Sequence, residues 1–172
     1  GFGGAGKSRL AVAFAREQAQ VFHDGAVFIE LAALGDASHI PRAVLDALKL
    51  EVAPQQVPLS QLLNYLKDKE MLLVFDNFEH LLAGSSLIID ILEASAASKA
   101  VVTSREALDF HAELIYDVGG LNYPDTVTEA PEAYDAVTLF LRSARRANPN
   151  FTLTAQNKAA VIRLCQLVQG FP

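Results

Sequence analysis

Apolar positions along the chain follow two rhythms, a helical one and the short continuous run of a buried strand. Residues 7–22 place Leu10, Ala13, Phe14 and Val21 at helical spacing, with Glu17 in the same row and Arg9, Arg16 and Gln20 turned away. This predicts a helix that buries the Leu10–Phe14 row. His23-Asp24-Gly25 stops it, and AVFIEL, residues 26–31, is a β-branched and aromatic run that predicts a strand. Asp36-Ala37-Ser38 can cap a helix over residues 39–50, with Pro41 tolerable in its first turn. After a Pro-containing loop at 52–58, residues 59–69 predict a helix with Leu62, Leu63 and Leu66 as its buried stripe. MLLVFD, residues 71–76, has five apolar residues in a row, as in a strand covered on both faces in a parallel sheet. An apolar helix then runs through Ala94, and KAVVT (99–103) and LIYDV (114–118) predict two more strands. Gly119 to Pro124 breaks the pattern and a polar stretch reaches Pro131. Two helices follow. Residues 132–147 turn Val137, Phe140, Leu141 and Ala144 inward, and residues 154–169 do the same with Val161, Leu164, Cys165 and Val168.

Strands alternating with helices, then helices alone, describe an α/β domain feeding an all-α module. The boundary falls near 121–131, giving a first domain at 1–122 and the start of a helical subdomain at 123–172. With 172 residues, 51% of them hydrophobic, the chain can bury a sizeable core. The formal charge of −6 carries no nucleic-acid footprint, and Arg142, Arg145 and Arg146 on one predicted helix read as a solvated face. The single cysteine, Cys165, excludes a disulfide framework and fits a reducing cytoplasm. No apolar run approaches membrane-spanning length.

The chemistry concentrates at the start. Residues 1–8 read GFGGAGKS and fit G-x-x-x-x-G-K-[ST], the phosphate-binding loop. Gly1, Gly3, Gly4 and Gly6 allow backbone conformations that turn successive N–H groups into one concavity, and a helix starting near Gly6 adds its positive end. Lys7 would reach the β- and γ-phosphates, and the Ser8 hydroxyl would sit on a bridging Mg²⁺. Ala5 within the loop and Arg9 beside it complete the candidate nucleotide contacts. Such a loop normally leaves a buried strand, and none precedes Gly1, nor does an initiator Met, so the sequence reads as a fragment cut at the loop. Asp76 ends the apolar strand about seventy residues on, where a carboxylate can hold Mg²⁺ at the ligand-binding edge of an α/β sheet. Arg105 leaves the next strand at the same edge. His80 has no second metal-ligand residue at useful spacing, so packing or solvent exposure is expected for it.

GFGGAGKSRLA, LLVFDNFEHLL, VVTSREAL and a closing helix that ends in GFP together resemble the STAND class of signal-transduction ATPases. They are most similar to the NB-ARC-like module of bacterial LuxR-type and SARP-type regulators and TPR-containing predicted ATPases. The resemblance implies a P-loop NTPase fold, three-layer α/β/α with a mainly parallel sheet in strand order 5-1-4-3-2, the first strand lying outside this sequence. It implies ATP/ADP and Mg²⁺ as cofactors, Asp76 as the Mg²⁺ acid, Arg105 as a sensor of the terminal phosphate, and Gly170 and Pro172 as a G-x-P motif whose proline lies by the adenine. The partners implied are nucleotide and flanking winged-helix, TPR or DNA-binding domains, with nucleotide-dependent self-association. Neither a membrane nor direct nucleic-acid contact by this segment is implied.

Many fast P-loop ATPases follow the strand-end Asp with a second acid. Here that position is Asn77, whose amide can orient water without taking its proton, and Glu79 is the nearest carboxylate, on an incipient helix. The expected function is a slow ATPase switch. Two alternatives remain: an ADP-holding interaction scaffold, and a small-molecule kinase. The kinase is disfavoured because residues 118–131 hold no Arg or Lys for a lid.

Overall fold

The computed structural model describes residues 3–172, so the role anticipated for Gly1 lies outside the described residues. The chain divides into two compact units. One is Lys7–Ile115, and the other joins the described loop residues up to Gly6 with Tyr116–Pro172.

The first unit is the three-layer α/β arrangement. Its elements are α1 (Lys7–Gln18), β1 (Ala26–Glu30), α2 (Ile40–Ala47), α3 (Pro58–Leu66), β2 (Leu72–Asp76), α4 (Ser86–Ala94) and β3 (Lys99–Val102). The three strands are parallel in the order β1-β2-β3, with Val74 facing Phe28 on one side and Val101 on the other. Side chains on a strand alternate between faces, and β2 uses both. Leu72 and Val74 pack with Ala11 and Ala15 of α1, whereas Leu73 and Phe75 join the larger core under α2, α3 and α4. That two-sided burial is why β2 is apolar without interruption.

Two expectations in this unit need correcting. α1 ends at Gln18, short of the predicted residue 22, and its buried residues are Ala11 and Ala15, while Leu10 and Phe14 on the helix and Val21 in the turn beyond it are exposed. Both rows have helical spacing, but the small one lies against Leu72 and Val74, where a short side chain lets the helix sit close to the sheet. The strand expected at 114–118 does not form, and Leu114, Ile115 and Tyr116 are exposed. A strand needs a ladder partner. Among the described residues β3 pairs only with β2, and nothing bridges from its other edge to 114–118.

The edge of the sheet where the strands begin is tied by charge. The Asp24 carboxylate accepts from Lys69 Nζ at 2.7 Å and from the Glu70 N–H at 2.9 Å, joining the turn before β1 to the turn before β2. These bonds, with the Glu70 N–H first, hold the Asp24 pKa below the usual carboxylate value, and the same contact raises that of Lys69. A depressed carboxylate contributes stability above its unfolded pKa and loses it as pH falls through the folded one. Asp24→Asn is therefore expected to lower stability at neutral pH, with the gap from wild type closing below about pH 4. Denaturant unfolding measured across pH checks this, and a gap that widened on acidification would contradict it.

In the second unit, α5 (Asp135–Ala147) packs on α6 (Lys158–Leu167) around Val137, Leu141, Val161 and Cys165. Phe140 and Phe151 meet edge to face at 6.1 Å. On α6, Ile162 is buried while Leu164 and Val168, expected inward, are about half exposed. Burial raises the Cys165 thiol pKa, as suits a packing residue rather than a reactive one. Arg142, Arg145 and Arg146 are exposed, as the sequence implies. No described helix is long and apolar enough to cross a membrane.

Candidate functional site

Chain direction places the α1 N-terminus. The turn after α1 is anchored where the strands begin, since the Asp24 N–H donates to Glu70 O at 2.9 Å. The 12 residues of α1 span about 18 Å and the five of β2 about 17 Å, so α1 starts at the edge where β2 ends. Lys7 and Ser8 occupy the first turn of α1, and Asp76 is the last residue of β2. Ser8 and Arg9 are exposed, and Lys7 is half-buried.

At the strand end, Asp76 Oδ1 accepts a 2.6 Å hydrogen bond from the Thr103 hydroxyl, which in turn accepts the Asn77 N–H at 2.9 Å. Phe75 faces Val102 in the ladder, so the next residues on each strand, Asp76 and Thr103, are neighbours. Asn77 is left-handed, with φ 67° and ψ 50°, a region Asn tolerates better than most residues. The chain then tightens into a 3₁₀ turn over Phe78–His80, rather than the incipient α-helix anticipated there. Glu79 Oε1 lies 3.0 Å from Arg105 Nε, so the candidate base and the candidate sensor form an ion pair. His80 Nε2 bonds the Leu34 carbonyl at 3.0 Å on an exposed surface.

Gly4 and Gly6 have φ of +81° and +84°, which a Cβ would strain, and Ala5 is buried while Gly3 is exposed. Pro172 Cγ lies 3.6 Å from where a Gly6 Cβ would stand. Gly170 serves a backbone crossing. Its carbonyl accepts the Leu121 N–H at 2.9 Å, and a Cβ on Gly170 or Gly120 would run into the carbonyls of Leu121 or Gln169.

The donor set fits Mg²⁺. Among the described residues no cluster of three His, Cys, Asp or Glu could cage a metal. Mg²⁺ takes few protein oxygens and completes its shell with phosphates and water. One oriented carboxylate, Asp76, and one exposed hydroxyl in a helix first turn, Ser8, are such a minimal set.

A profile of the AAA domain matches residues 1–107, which takes in the loop, β2 with Asp76, and Arg105. The chain belongs to the AAA domain family. This AAA domain is 32% identical over 173 residues, all of the chain, to a protein of Mycobacterium tuberculosis named "Putative HTH-type transcriptional regulator", and equally to its Mycobacterium bovis counterpart. It is 32% identical over 170 residues, 98% of the chain, to an uncharacterized M. tuberculosis protein. The AAA domain chain spans 18% of the regulators' length and 41% of the uncharacterized protein's.

The feature that sequence reasoning missed is Thr103. The signal was present, because a hydroxyl residue closing one buried strand beside an acid closing its neighbour brings the two together in a parallel ladder.

Proposed function

We propose that this AAA domain is an ATP/ADP-binding switch module, of STAND and NB-ARC-like type, within a larger cytoplasmic bacterial regulator. Its nucleotide state would set the disposition of the helical unit. Gly3 to Ser8 would hold the phosphates, Asp76 and Ser8 the Mg²⁺, Arg105 would sense the terminal phosphate, and Pro172 would lie near the base. When bound there, Mg²⁺ would supply neutralisation of phosphate charge. The observation that carries the reading is the strand-end acid, held in one orientation at the sheet edge from which α1 starts. The regulator names of the mycobacterial proteins support a regulatory setting, in which any DNA binding would fall to other parts of the larger protein. Self-association in one nucleotide state belongs to the same proposal.

Turnover is slow in this reading. Asn77 follows Asp76 and cannot take a proton, and Glu79 is already paired with Arg105. Steady-state phosphate release from the complete protein that carries this chain is expected at roughly 10⁻² s⁻¹ or below, the range of unassisted P-loop switches. Tens of turnovers per second would overturn the switch. The Asn77 amide also favours a second reading, an ADP-holding scaffold, which binding with no phosphate release at all would select.

A further inference from the structure

We propose that Thr103 is a positioning residue for Mg²⁺–nucleotide binding, acting through Asp76. The inference rests on the reading of Asp76 as the Mg²⁺ acid. A threonine hydroxyl has one proton and two lone pairs. Here the Asn77 N–H, a fixed donor, occupies a lone pair of Thr103 Oγ1 at 2.9 Å, so the hydroxyl proton goes to Asp76 Oδ1 at 2.6 Å. A bond from a hydroxyl to a carboxylate at that length is charge-assisted and directional. It holds the Asp76 carboxylate in one orientation, so that Oδ2 and the remaining lone pair of Oδ1 can turn toward a cation without a search over rotamers.

The frame around this bond is independent of the hydroxyl. The Thr103 N–H donates to Phe75 O at 2.9 Å and its carbonyl accepts the Phe78 N–H at 3.0 Å, so the backbone clamps both sides of Asp76-Asn77. Thr103 is 7% exposed, a setting in which valine has the right shape and lacks only the hydroxyl. A buried threonine that merely satisfied its own hydroxyl would affect folding and leave the metal alone.

The test measures ATP affinity of the complete protein with Mg²⁺ and with EDTA, by fluorescence titration, alongside thermal unfolding. Wild type is expected to bind more tightly with Mg²⁺. Thr103→Val is expected to lose about tenfold of that gain, with Mg²⁺-free affinity within about twofold, as removal of one charge-assisted hydrogen bond implies. Thr103→Ser should keep the gain, and Thr103→Ala should repeat the valine result if valine disturbs packing. In an Asp76→Ala background, Thr103→Val should have no further effect, because contacts in one network are not additive. A full Mg²⁺ gain in both hydroxyl-free variants, with nucleotide binding still dependent on Lys7, would overturn this inference alone. An undiminished effect of Thr103→Val without Asp76 would do the same. Absence of nucleotide binding by wild type would overturn the underlying reading and this inference with it.

Discussion

Lys7→Ala is expected to weaken MgATP and MgADP binding by about a hundredfold or more. Removing one partner of a charged, hydrogen-bonded contact costs about 2–5 kcal/mol, and each 1.4 kcal/mol is a factor of ten. Lys7 stands in the first turn of α1, where a helix end favours an anion, so in the proposed site its ammonium would add a point charge to that of the backbone N–H groups. The side chain is half-buried at the end of a helix, so unfolding curves are measured for both proteins and affinities are compared where both are folded. Titration of labelled nucleotide into both proteins, with unfolding curves in parallel, measures both quantities. Unchanged affinity in the folded variant would remove the loop from the binding site.

The second large effect is on stability. Phe75→Ala is expected to cost about 3–5 kcal/mol, the range for emptying a buried aromatic site. Phe75 is fully buried on the central strand, and its ring meets Phe78 edge to face at 6.3 Å. Those two residues flank Asp76-Asn77, so the cavity would loosen the segment that aims the acid. Nucleotide affinity should therefore fall even where the variant remains folded. Chemical denaturation gives the first number, and a loss below about 1 kcal/mol would mean the core closes over the gap.

The parallel strands were legible because double-sided burial leaves an unbroken apolar run, as in LLVF, and the phosphate-loop pattern and the acid closing β2 were equally plain. What failed was the choice between overlapping apolar stripes. On α1 the rows 10/14 and 11/15 both fit a helix, and the sequence rhythm favours large residues where the sheet accepts alanine. On α6, Val161 and Cys165 pack against α5 as the spacing implies, but the third buried residue is Ile162 and not Leu164 or Val168. LIYDV reads as a strand by composition, yet a strand is a property of two segments, and no ladder reaches it among the described residues. The Thr103–Asp76 bond depends on register between strand positions 27 residues apart, which no local pattern specifies.

The central claim is that this domain holds a nucleotide and distinguishes its two states. The most direct measurement is equilibrium titration of MgATP and MgADP into the complete protein that carries the chain, with Lys7→Ala as control. One saturable site, abolished in the control and tighter for ADP than for ATP, is the result a resting switch predicts. Binding of neither nucleotide by the folded wild-type protein would contradict it and leave the phosphate loop without a ligand.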